Sequence, residues 1–185
     1  KLKIENMELN KVLSEGMGDV YEIFCDMDGT ITDFEARFEH FSGLTPDEYR
    51  KRATAEFGEE KGIERFWNLI DFEVGMRFFR GMSWMPEGKE LWDYISKYKP
   101  KILTAPSREE CSRDGKLLWV KDNIENGAEV IFSPAYLKKD YAGPNKILID
   151  DNEQNVSDWK ARNGIGILYK GNTEQTIREL QQYGI

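Results

Sequence analysis

The chain has 185 residues, enough for one substantial core with a modest insertion and too few for two full domains. Its apolar (39%) and charged (32%) fractions describe a soluble globular protein, with no apolar run of membrane-spanning length and no secretory signal pattern. The formal net charge of −8 argues against a long nucleic-acid partner, since the longest basic clusters are Arg50-Lys51-Arg52 and Lys138-Lys139, but leaves a small phosphate ester open.

Two cysteines, Cys25 and Cys111, give neither a disulfide framework nor zinc spacing, so a reducing, cytoplasmic compartment is expected. His40 is the single histidine, which argues against a histidine metal cluster and zinc hydrolase chemistry. Asn155-Val156-Ser157 matches a glycosylation sequon and reads as coincidence without a signal segment.

Leu2, Leu9, Val12 and Leu13 give residues 1–18 loose helical patterning, read as an N-terminal helix or arm that ends at Gly16 and Gly18. The apolar run 20–25 predicts a buried strand that stops at Asp26-Met27-Asp28-Gly29. Residues 34–80 then lose strand character. Thr45-Pro46-Asp47-Glu48 is a capping box with proline at the first helical position, and Ile63–Ile70 keeps helical spacing, so 34–80 reads as an all-helical insertion. From Pro86 the pattern alternates. A helix over 86–97 precedes a strand at 101–104. A second capping box, Ser107-Arg108-Glu109-Glu110, opens a helix to about Asn126 with a break near Gly115. Strands at 129–132, 146–149 and 165–169 follow, with helices over 152–162 and 172–183. Short apolar strands alternating with helices predict an α/β fold with a parallel sheet of about five strands, covered on both faces. Its core would comprise residues 19–33 and 81–185.

Ligands bind at the carboxyl ends of the strands in such sheets. Three strands here end in reactive residues: one in Asp26 and Asp28, one in Thr104, one in Asp150 and Asp151. Parallel strands bring these ends to one edge, where four carboxylates crowd together. A hard divalent cation relieves that repulsion, and Mg²⁺ suits oxygen ligands shared with phosphate.

These segments resemble the four motifs of the haloacid dehalogenase (HAD) superfamily of phosphatases: Asp26-Met27-Asp28-Gly29-Thr30, the strand-ending Thr104, a later lysine, and Ile149-Asp150-Asp151. The resemblance implies a HAD-like Rossmannoid core with a helical cap. It makes Asp26 the nucleophile that becomes aspartyl-phosphate and Asp28 the acid/base, whose main-chain carbonyl also meets the metal. Thr104 becomes a phosphate clamp, and Asp151 a direct Mg²⁺ ligand supported by Asp150.

A narrower similarity is to the 5′(3′)-deoxyribonucleotidases. It is carried by Thr32–Phe38, Phe78-Phe79, Met85-Pro86-Glu87-Gly88, Ile102-Leu103-Thr104-Ala105-Pro106 and Gly115-Lys116-Leu117-Leu118-Trp119-Val120. It implies a (deoxy)nucleoside monophosphate as substrate, Lys116 near the phosphate, and either Lys138 or Lys139 as the third-motif lysine, spacing favouring Lys139. Ala105 stands where the family often has a hydroxyl residue at the phosphate. Most of the insertion's aromatic side chains must fill its own core, with Phe34 and Trp67 best placed for a nucleoside pocket. Arg50, Lys51 and Arg52 read as a solvated face. The alternatives are a nucleic-acid 3′-phosphatase, a sugar-phosphate phosphatase, or a silent binding module on the same scaffold. The partner expected is a small phosphorylated metabolite; a homodimer is compatible with the sequence without being dictated by it.

Overall fold

The computed structural model describes residues 21–185. The predicted N-terminal helix or arm, and the first residue of the 20–25 strand, lie outside the described residues.

A five-stranded parallel sheet forms the centre, in the order β3-β2-β1-β4-β5. Its strands are β1 (Glu22–Cys25), β2 (Lys101–Thr104), β3 (Val130–Phe132), β4 (Lys146–Asp150) and β5 (Ile165–Leu168). All are within a residue or two of the predicted segments. From central β1 the chain builds β2 and β3 on one side, then returns to build β4 and β5 on the other. That reversal opens a crevice at the carboxyl edge. Register sets Cys25 beside both Ile102 and Ile149, so β1, β2 and β4 end close together.

Side-chain alternation sorts the sheet into two faces. Ile23, Cys25, Ile102, Ile147 and Ile149 join the larger core, while Phe24, Leu103 and Leu148 pack with Trp159 on the other face. Cys25 is fully buried, and burial above all, with the neighbouring Asp26 and Asp150 carboxylates, pushes its thiol well above the usual range. It is poorly suited to chemistry.

Between β1 and β2 run α1 (Phe34–Ser42), α2 (Pro46–Phe57), α3 (Glu59–Asn68), a π-helical turn (Leu69–Val74), α4 (Met76–Arg80) and α5 (Gly88–Ile95). The capping box at α2 forms as expected. The Thr45 hydroxyl accepts from the Glu48 N–H at 3.3 Å, and the Glu48 carboxylate accepts from the Thr45 N–H at 3.0 Å. Phe38, Phe66, Phe78 and Phe79 are buried, and Phe38 stacks on Phe66 at 4.7 Å between centroids. Arg37 ties α1 to α4 by donating to the carbonyls of Arg77 (2.6 Å) and Phe78 (3.2 Å).

After β2, helix α6 spans Glu110–Asn123; α7 (Glu153–Lys160) follows β4, and α8 (Thr173–Gln181) follows β5. The second capping box does not form. The helix opens at Glu110, the Ser107 N–H is taken by the Ser112 hydroxyl at 3.0 Å, and Glu109 occupies the cap position without a side-chain bond. Nor does α6 break at Gly115. A Cβ there would stand 2.7 Å from both the Met76 carbonyl oxygen and Phe79 Cβ. The glycine is there so that α4 and α6 can touch.

Candidate active site

The turn after β1 places the first two acids. The N–H groups of Ile31 and Thr32 both donate to the Met27 carbonyl at 2.9 Å, which curls the backbone and turns Asp26 and Asp28 to the carboxyl edge. Gly29 adopts φ +78°, and a Cβ there would run into the Asp151 carboxylate. Only glycine serves both demands.

Asp26, Asp150 and Asp151 each bring one carboxylate oxygen within 4.8 Å of the other two. Three of the four carboxylates expected at the strand ends meet here; Asp28 is not among them. Lys138 lies among them, fully buried, 2.8 Å from Asp26 Oδ1 and 2.7 Å from Asp150 Oδ2. Burial pulls its ammonium down, but Asp26 and Asp150 together outweigh that and leave it above the ordinary lysine value. The preference for Lys139 is therefore corrected: its ammonium sits 3.3 Å from Asp158, facing α7. Both lysines ride on a 3₁₀ turn, Ala135–Tyr141, in which successive side chains point about 120° apart.

Asp150 is saturated. Besides Lys138, it accepts from the Asn152 N–H (2.9 Å) and from the Asn155 amide at 3.1 Å to each oxygen. Its carboxyl is raised by burial and by Asp26, with Lys138 opposing. Asp151 is exposed as a residue but turns its carboxyl inward over Gly29, where burial, then Asp26 and Asp150, push it up to about 7. No side-chain bond or ion pair reaches Asp151 among the described residues. An acid raised this way by other acids, lying on a glycine cradle, suits a hard divalent cation such as Mg²⁺ held by Asp26 and Asp151, with Asp150 bracing from behind.

Asp28 stands apart from that trio. The Lys116 ammonium lies 2.7 Å from Asp28 Oδ2, 2.7 Å from the Thr104 hydroxyl and 2.8 Å from the Ala105 carbonyl, and the Thr32 hydroxyl lies 3.3 Å from Asp28 Oδ1. Lys116 and Thr104 are fully buried behind Asp28. Ala105 thus enters through its backbone oxygen, which needs no particular side chain.

Asp28, Gly29 and Asp151 floor a cavity of about 540 Å³, walled by Phe34, Met85, Tyr169 and charged residues of α1 and α2. Phe34, one of the two aromatics expected at a substrate pocket, lines this cavity. Trp67 does not: it lies on α3, 37% exposed, against Phe66 and away from this cavity. Arg50 is exposed, as expected of a solvated face, and also lines the cavity while its guanidinium covers the Phe66 ring at 4.0 Å. A larger cavity, about 1030 Å³, lies at the opening ends of β2 and β3 near Lys101 and Glu129, and holds no convergent acids.

Two residues that sequence reasoning gave no role at the site orient the acids, Thr32 on Asp28 and Asn155 on Asp150. The signal for Asn155 was its place in the first turn of the helix after β4, one turn from the acid it holds.

No protein-family model and no curated protein sequence matches the chain. Solved structures do. A phosphonoacetaldehyde hydrolase-like protein from Oleispira antarctica superposes with a TM-score of 0.53 at 14% identity, over 90% of this chain and 82% of the other. The fold is that of the HAD hydrolases. A HAD-superfamily hydrolase from Ehrlichia chaffeensis matches with a TM-score of 0.51 at 10% identity, over 92% of this chain and all of its own (100%). A predicted phosphatase from Clostridium acetobutylicum matches with 0.51 at 12%, over 83% and 86%. At these identities the likeness is one of HAD fold. No helix among the described residues is long and apolar enough to cross a membrane.

Proposed function

We propose that the protein is a Mg²⁺-dependent phosphomonoesterase that works through a phosphorylated Asp26, with residues 34–80 as a cap and a (deoxy)nucleoside monophosphate as substrate. The observation that carries the reading is the single Lys138 ammonium shared by Asp26 and Asp150. Lys101 is also shared by two acids, Glu22 and Glu129, but all three are at least part-exposed, whereas Lys138 and both its acids are buried. Here a lysine, two buried acids and a third open acid meet beside an outward-facing cavity, an arrangement suited to receiving a dianion.

In this mechanism a carboxylate oxygen of Asp26 attacks phosphorus, and the bond from phosphorus to the substrate's alcohol oxygen breaks. Asp28 gives that oxygen a proton, so the alcohol leaves neutral. Asp28, now a carboxylate, takes a proton from water as the water oxygen attacks phosphorus. The bond to Asp26 breaks, releasing inorganic phosphate and restoring both acids. The Thr104 hydroxyl, which accepts from Lys116, and the Lys138 ammonium supply hydrogen-bond donors for the phosphoryl oxygens. Lys116, its three protons taken by Asp28, Thr104 and Ala105, holds Thr104 and Asp28 in place, and Thr32 keeps Asp28 aimed. Asp26 and Asp151 would hold Mg²⁺, which would supply charge neutralisation for the transferring group.

The nucleotide assignment draws on the resemblance of the Thr32–Phe38 and Ile102–Pro106 segments to deoxyribonucleotidases. A cavity of nucleoside size with Phe34 in its wall supports it. Two free cysteines, one buried, are in keeping with a reducing cytoplasmic setting. The test is phosphate release over a panel of mononucleotides and sugar phosphates with Mg²⁺, against EDTA and Asp26→Asn controls. Release that persists in Asp26→Asn rejects the nucleophile; preference for sugar phosphates rejects the nucleotide.

A further inference from the structure

The cavity over Asp28 and Asp151 is bounded on its outer side by charges that the reaction does not use. Asp33 and Glu35 come from the start of α1, Asp47 and Arg50 from the start of α2, and Lys170 from the turn after β5. These charges are unequally committed. Arg50 lies 3.8 Å from Asp47 and over Phe66, while Lys170 lies 3.2 Å from Glu153. Each rim cation therefore already has a carboxylate of its own. Among the described residues no cation pairs with Asp33 or Glu35, although Asp33 does accept the Ala36 N–H at 2.9 Å. The rim is net negative.

We propose that this rim is an electrostatic filter, admitting phosphate monoesters whose alcohol half is uncharged or cationic and rejecting those that carry a second phosphate. The inference rests on the phosphomonoesterase reading and narrows its substrate class. A phosphoryl group at Asp26 already brings negative charge to the floor. A second phosphate on the alcohol half would meet Glu35 and Asp33 inside a concave site, where walls of low dielectric focus like-charge repulsion. Excluding the wrong ligand by repulsion requires no added contact with the right one. An uncharged alcohol half meets only the half-buried Phe34 ring and polar groups it can satisfy; an ammonium gains from the rim.

The experiment pairs equilibrium binding to the Asp26→Asn protein with steady-state turnover by the wild type, both at saturating Mg²⁺. The ligands are a nucleoside 5′-monophosphate, the matching 3′,5′-bisphosphate, glycerol 3-phosphate and 2-aminoethyl phosphate. The bisphosphate is expected to bind at least about ten-fold more weakly than the monophosphate, with kcat/KM lower by a similar factor. The gap should shrink as salt rises from about 0.05 to 0.5 M, since the rim is open to ions. Glu35→Gln combined with Asp33→Asn, whose amide oxygen can still accept the Ala36 N–H, should narrow it through KM, leaving kcat for the monophosphate little changed. Equal or tighter binding of the bisphosphate overturns the proposal, as does a gap that neither salt nor the double substitution moves. If no ligand is turned over, the phosphatase reading falls, while the binding ratio still decides for or against the filter.

Discussion

The ammonium of Lys138 lies 2.7 Å from a carboxylate oxygen of Asp150, and both side chains are closed off from solvent. The same nitrogen reaches Asp26 at 2.8 Å. Removing it strands two buried acids against each other. Lys138→Met should therefore cost roughly 3–5 kcal/mol of stability and abolish phosphate release. Lys139→Ala breaks only a part-exposed pair with Asp158 and should stay within about 1 kcal/mol of wild type, with activity intact. Urea denaturation and phosphate assays on both variants check the contrast; a silent Lys138→Met would reject the assignment.

Asp26 and Asp28 have different neighbours and should fail differently. Asp26→Asn removes the attacking oxygen and should give no turnover. Asp28→Asn keeps a side chain that Thr32 and Lys116 can still hold, and should lower kcat by about 10²–10⁴ through loss of proton transfer. Single-turnover measurements distinguish the two, because only Asp28→Asn retains a slow approach to a phosphorylated protein.

Among the described residues Asp151 is the acid of the cluster without a side-chain partner, so it should carry the largest share of any Mg²⁺ response. Mg²⁺ is expected to raise the melting temperature of the wild type and to have little effect on Asp151→Asn. Equal shifts in the two proteins would move the cation away from Asp151.

Gly29→Ala tests the same geometry from the backbone. A methyl group at φ +78° meets the Asp151 carboxylate, so the variant should lose about 1–3 kcal/mol and most of its Mg²⁺-dependent melting shift. Calorimetric melts with and without Mg²⁺ measure both.

Asp71 makes a prediction away from the site. It is buried in the π-helical turn, 3.9 Å from Cys111 Sγ, and its carboxyl is raised by burial first and by Glu109, with Ser107 and Cys111 opposing. A raised carboxyl holds its proton more tightly in the folded state. Its contribution is thus fully present below the unfolded value of about 3.9 and is lost as pH climbs through the folded one. Asp71→Asn should be more stable than wild type at pH 8, and no more stable at pH 4. Denaturation at the two pH values decides it.

What was legible in the sequence was whatever depends on chain neighbours. Strand parity and strand ends put Asp26, Thr104, Asp150 and Asp151 on one edge, and the Thr45–Glu48 box needs only its own turn. What was not legible depends on partners far along the chain. Ser107 looks like a cap until the hydroxyl of Ser112 claims its N–H. Gly115 looks like a helix break until α4 arrives beside it. Lys138 and Lys139 differ only in which way a short 3₁₀ turn points them, something spacing along the chain does not encode. Trp67 and Phe34 are equally aromatic, and only the path of α3 separates them.

The Asn155 amide, spent on both oxygens of Asp150, has one last consequence. Oligosaccharide transfer requires that nitrogen to be free and reachable, and in the finished molecule it is neither. Were this polypeptide sent through a glycosylating secretory route, sugar at Asn155 would mark chains modified before they closed. Each such chain would have lost the brace behind its acid cluster, making the modified fraction a direct count of molecules caught unfinished.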